Sequence, residues 1–220
     1  MLTRADWSIL LLLLCCAWAC ASTNPDVRVR RLPDGRLQVE GPMLGPFKTE
    51  EEMAGAACKR MTSQPGASNG AYGFEYCALH YYAVEDDAFF LSYLSDVGGT
   101  ASGGAKYCEI PRALLDLEHK DVVILGGAHT HPHNRQFSNK DMSTRAHWLP
   151  VRFVDPVTGR VWDRQLMMFI KEKTGECRAY SYNNSTRIIA SLREGQWVPI
   201  ARAYNDAGDV EMLEGRDWLP

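Results

Sequence analysis

The sequence predicts one mixed α/β domain behind an N-terminal targeting segment. Three observations carry that expectation. The chain has 220 residues, 45% hydrophobic and 23% charged, an ordinary globular balance. Its apolar stretches alternate with period two in several places, and elsewhere follow a capped helical start. It carries no internal repeat and no low-complexity linker, so nothing in it marks a second domain.

Residues 1–20 read as a signal segment. Arg4 precedes an apolar run from Trp7 to Trp18, followed by small residues at Ala17, Ala19 and Ala21. Such a run suits a signal core and is short for a bilayer span. Ala17-Trp18-Ala19 fits ordinary cleavage, and the same residues before Cys20 resemble a degenerate bacterial lipobox. Ser22 to Pro25 would then be a polar tether, and a lipid at Cys20 is the one membrane attachment expected. The destination is export, to the periplasm, the outer membrane or the medium.

Residues 21–46 form an N-terminal extension with a hairpin about Pro33-Asp34-Gly35. The main domain spans 47–220. Thr49 and Glu52 have capping-box spacing, and Met53, Ala57 and Met61 share a helical face, so a helix starts at Thr49 and ends by Pro65-Gly66. From Tyr72 to Leu94 an aromatic-rich stretch reads as two strands around Glu85-Asp86-Asp87. Gly98 to Gly104 reads as a surface loop and as the mouth for a substrate, since glycine backbone approaches a ligand closely. Pro111 to His119 is predicted as a short helix. Val122 to Leu125 is a buried strand running into His129. Ser138 opens a second helix that stops before Pro150. Turns at residues 155–159, a hairpin of 165–171 with 177–182, and strands near Ile188 and Val198 complete the domain.

Composition excludes one class of partner. The net charge is −3 and no basic run is long, so nucleic acid has no electrostatic footprint here. Of seven cysteines, Cys15, Cys16 and Cys20 belong to the signal. The remaining Cys58, Cys77, Cys108 and Cys177 contain no C-x-x-C pair and suit two disulfides, with three connectivities open. A reduced core Cys77 is the alternative.

The concentrated chemistry lies between Gly126 and Asp141. His129 and His131 alternate onto one side of an extended segment, a natural pair of imidazole ligands. Asp141, at the start of a helix, supplies an oxygen ligand and leaves one position open for water. Six histidines in 220 residues give an H-x-H pair by chance about one time in six, so the pair alone is weak. Ser138-x-x-Asp141 is also a capping-box spacing. The combination with the preceding strand favours a metal. His133 and His147 read as a loop and a helix-surface histidine, and Trp148, Trp162, Trp197 and Trp218 as core or rim aromatics.

His129-x-His131-Pro132 followed by Ser138-x-x-Asp141 resembles the signature of the JAMM (JAB/MPN) metallopeptidase family. The stretch from Thr49 to Asp141 is similar to bacterial JAMM-like domains of unknown function, found in secreted proteins and at the ends of polymorphic toxins; the motif core spans 72–148. Six residues separate His131 from Ser138, one fewer than the family's usual spacing. The resemblance implies a curved mixed sheet flanked by helices, zinc held by His129, His131 and Asp141, and hydrolysis of a peptide or isopeptide bond. It further implies Ser138 as the oxyanion donor and an upstream glutamate as general base. Glu75 is that residue in this reading, because it opens the run Tyr76-Cys77-Ala78-Leu79; Glu85 and Glu109 are predicted to face solvent. Two other classes fit the same residues: a non-catalytic envelope binding or scaffold module, and a metal-dependent nuclease or toxin-like effector. The acidic balance makes the nuclease the weakest.

Overall fold

The computed structural model describes residues 24–143, 152–155, 158–213, 215, 216 and 218. The signal segment with Cys20 lies outside the described residues, as do His147, Trp148 and residues 144–149 of the second predicted helix, whose described part is helical only over Asn139–Met142.

In chain order the strands are β1 (Val29–Arg31), β2 (Leu37–Gly41) and β3 (Leu44–Phe47), then the helix α1 (Glu50–Thr62). β4 (Cys77–Ala83), β5 (Ala88–Leu91), β6 (Gly98–Thr100), β7 (Lys106–Cys108), β8 (Ala113–Asp116) and β9 (Val122–Thr130) follow. A one-turn helix, α2 (Asn139–Met142), precedes β10 (Arg152–Val154), β11 (Val161–Asp163) and β12 (Gln165–Lys171). β13 (Cys177–Asn183), β14 (Ile188–Arg193), β15 (Gln196–Ala203) and β16 (Val210–Met212) end the fold. The helix α1 begins as its sequence predicts, with Thr49 Oγ1 accepting from the Glu52 N–H at 3.2 Å.

The largest sheet has nine strands in the order β16-β15-β14-β13-β12-β9-β4-β5-β3. Its single parallel junction is β9 with β12, so two antiparallel runs meet there. Strand alternation sorts the core onto two faces. From β12, Met167 and Phe169 join Met53, Ala57 and Met61 of α1 on one face. Leu166, Met168 and Ile170 join Val39, Ile110 and Phe137 on the other.

This corrects the expectation of an α/β domain whose curved mixed sheet is flanked by helices. The protein is mostly β, and α1 is its one substantial helix among the described residues. The second face is covered by strands and loops instead. The predicted helix at Pro111–His119 is the strand β8, which pairs in parallel with β2 and sets Leu114 beside Val39. The expected loop at Gly98–Gly104 is in part a strand: β6 pairs with β7 in a separate two-stranded sheet. Glycine is required at 98, where a Cβ would collide with the Tyr107 carbonyl oxygen and lie 2.8 Å from Cys108 Cα.

Two disulfides join the layers, Cys58 to Cys177 and Cys77 to Cys108. The first ties α1 to β13. The second ties the start of β4 to the end of β7, so Cys77 is not a free core thiol.

Candidate metal centre

Three elements converge where β9 ends. His129 is the penultimate residue of β9, opposite Cys77 of β4 on one side and Met168 of β12 on the other. Ala128 faces the α1 side, so His129 faces the opposite one. His131 lies one alternation further on, and its N–H donates to the Phe169 carbonyl at 2.8 Å. The strand reaches this position through Gly126, where an added Cβ would collide with the Gln165 carbonyl oxygen and sit 2.6 Å from His80 Nε2.

The side chains meet. His129 Nε2 and His131 Nε2 are 3.0 Å apart. Asp141 places Oδ1 3.6 Å from His129 Nε2 and Oδ2 3.5 Å from His131 Nε2. For metal–ligand bonds of about 2.0–2.2 Å, tetrahedral geometry sets the ligand edges near 3.4 Å. These separations fit that figure, so the residues present suit a metal ion, and both histidines are buried. His131 Nδ1 lies 3.2 Å from the Asn134 carbonyl, which fixes Nδ1 as the protonated nitrogen and turns the Nε2 lone pair toward the group.

Ser138 caps α2 and completes a capping box with Asp141. Its N–H and its hydroxyl each donate to Asp141 Oδ2 at 2.7 Å. The capping role and the ligand geometry therefore coexist: the cap holds one carboxylate oxygen and aims the other at His129. Ser138 faces the cleft with its hydroxyl engaged by Asp141.

Glu75 is buried, with Oε1 3.8 Å from His131 Nε2. Thr130 places it. The Thr130 N–H donates to the Tyr76 carbonyl at 3.0 Å, and Thr130 Oγ1 accepts from the Tyr76 N–H at 2.9 Å. Glu109 instead pairs with Arg31 at the surface, and Glu85 lies in the turn between β4 and β5, away from the cleft.

Charge inside the cluster is redistributed. Burial pushes the Glu75 carboxyl up, only partly opposed by the two histidines, while Asp141 adds to the rise. Burial also acts to raise Asp141, but His129 and His131 outweigh it and hold that carboxyl well below its ordinary range. Burial would lower His129; the Asp141 carboxylate overcomes it and raises the imidazole.

A cleft of about 100 Å³ opens on these residues, walled by Ala105 to Cys108, Ile110 and Lys140. Pro132, His133 and Asn134 separate it from an open groove of about 940 Å³ along Ile170 to Lys173. Sequence reasoning missed the Asn134 carbonyl, and it expected the mouth at Gly98–Gly104, whereas the residues that wall the cleft are the next ones along, Ala105 to Cys108. Backbone groups carry no residue signature, and only the pairing of Cys77 with Cys108 would have drawn that wall to the site.

Comparison of the chain with protein-family models, with curated proteins and with solved structures returned no match. What the geometry itself defines is a mostly-β protein with a buried His-His-Asp group able to hold a metal ion.

Proposed function

We propose that the chain is an exported zinc-dependent hydrolase with the ligand pattern of the JAMM family, cleaving a peptide or isopeptide bond. The observation that carries this reading is the convergence of two imidazole nitrogens and a carboxylate on one point, with the buried Glu75 carboxyl 3.8 Å from His131. The donor set of two nitrogens and one oxygen suits zinc and leaves a position toward the cleft. Two disulfides support an oxidising destination. Among the described residues no helix is long and apolar enough to cross a membrane.

His129, His131 and Asp141 would hold the ion. When bound, zinc supplies Lewis acidity, polarising a scissile carbonyl and making a water more acidic. The chain's own groups do the rest. Glu75, its carboxyl raised by burial, accepts a proton at Oε1 from the attacking water and returns it to the leaving amine. Asp141 stays ionised beside it, so two carboxyls in one cleft take different roles. Ser138 steadies Asp141; to donate to an oxyanion, its hydroxyl must turn away from that carboxylate.

The test is metal content by elemental analysis, followed by a panel of peptide, isopeptide and nucleic-acid substrates. About one zinc per chain, with hydrolysis confined to the first two, is the expected result. A folded protein that takes up no added zinc would overturn the reading and leave a binding or scaffold module.

A further inference from the structure

The open groove beside the metal cleft carries a charge opposite to that of the chain. Apart from Glu75 and Asp141, groove and cleft present five basic side chains, Lys106, Arg135, Lys140, Lys171 and Lys173, in a chain whose net charge is −3. One further carboxylate, Glu172, lines them, and Arg135 already holds it by two hydrogen bonds of 2.7 and 2.6 Å. Lys171 and Lys173 are exposed and enter no ion pair among the described residues. Cationic side chains gathered along a concave wall concentrate anions there.

The same groove exposes a strand edge. The Glu172 N–H donates to the Glu176 carbonyl at 2.7 Å where β12 turns into β13. Antiparallel pairs alternate, so Lys171 and Cys177 form a non-hydrogen-bonded pair. The Lys171 N–H and carbonyl therefore point away from β13, to the side on which β9 lies. On that side the His131 N–H takes the Phe169 carbonyl, and β9 has ended at Thr130. Neither backbone group of Lys171 finds a backbone partner among the described residues. An extended peptide supplies both a donor and an acceptor to such an edge, whereas a phosphate backbone offers acceptors only.

We propose that the groove binds an acidic, extended peptide segment, paired through its backbone with Lys171 and through its carboxylates with Lys171 and Lys173. Calling that segment the substrate rests on the hydrolase reading. Phe169, two residues before Lys171, is bonded to His131, so a strand docked there reaches the edge of the metal group. Lys106 and Lys140 continue the same charge into the cleft.

The test is fluorescence anisotropy on the full chain, disulfides formed, with and without added zinc. The probes are dye-labelled hexaglutamate, hexalysine, hexaserine and hexathymidylate. Hexaglutamate should bind most tightly, and its affinity should fall as sodium chloride is raised. Lys171→Gln/Lys173→Gln should weaken it about five-fold, as loss of two exposed charge contacts predicts. Lys48→Gln/Lys120→Gln, at exposed lysines outside the groove, should leave it unchanged. Saturating hexaglutamate should also slow hydrogen exchange at the Lys171 amide. No binding of hexaglutamate, equal binding of hexaserine or hexalysine, indifference to the Lys171 and Lys173 changes, or an unprotected Lys171 amide overturns the proposal. Tighter binding of hexathymidylate overturns it in favour of the nuclease. Zinc uptake and hydrolysis are scored apart: hexaglutamate binding by a protein that takes up no zinc keeps the peptide groove and sinks the hydrolase reading.

Discussion

Two imidazole nitrogens facing each other at 3.0 Å, with carboxylate oxygens about half an ångström further off, bring lone pairs to one spot. Such a cluster is stable only around a proton or a cation. His129→Ala, His131→Ala and Asp141→Ala should therefore each lose zinc by elemental analysis, whereas Glu75→Gln should keep zinc and lose hydrolysis. A Glu75→Gln protein that still turned over would remove Glu75 from its role. Thr130→Val should leave the Tyr76 N–H unpaired in the interior, costing about 1–3 kcal/mol in chemical denaturation. The grouping of His129, His131 and Asp141 was legible because they lie close in sequence, and alternation along a strand fixes which side the histidines face. The Asn134 carbonyl that orients His131 was not legible, because every residue carries a carbonyl.

Among the elements, local signals succeeded where they set local geometry. The cap at Thr49, the turn at Pro33-Asp34-Gly35 and the hairpin of β12 with β13 all follow from neighbouring residues. Pro111–His119 failed because its partner is distant in sequence: pairing with β2 decides the conformation, and local preference is overridden. The end of β8 carries its own prediction. Asp116 accepts from the Tyr81 hydroxyl at 2.6 Å and from the Glu118 and His119 amides at 2.8 and 3.0 Å. Burial acts to raise this carboxyl, yet the Tyr81 and His119 hydrogen bonds outweigh it and hold it below its ordinary value. A depressed carboxyl contributes stability that is full above its unfolded value and lost as pH falls through the folded one. Asp116→Ala should cost about 1–3 kcal/mol at neutral pH, and the deficit should shrink in acid below about pH 4. A deficit that stayed constant in acid denaturation series would show that charge at Asp116 is not its source.

For the whole molecule, the even cysteine count predicted two bridges and left their pairing open, since pairing is a property of the folded sheet. Cys58 and Cys177 are 119 residues apart. In the chain-entropy account a loop of that size stabilises by about 5 kcal/mol, near the upper end of what such bonds contribute. Cys58→Ala/Cys177→Ala should therefore lower the melting temperature, measured by calorimetry, more than any single exposed ion-pair substitution. The helical layers expected around the sheet were wrong for a related reason. An apolar strand face needs a cover, but nothing in its own sequence says whether helices or further strands supply it.

The parallel junction of β9 with β12 has a consequence for the order in which the protein is made. Glu75, His129, His131, Ser138 and Asp141 all leave the ribosome before β12, the strand that braces His129 from its far side. A chain arrested after Met142 would carry each of those side chains yet lack half the sheet that fixes their spacing. Among the described residues β12 to β16 add no side chain to the His129, His131 and Asp141 group, yet the geometry of that group is complete only once those later-made strands are in place.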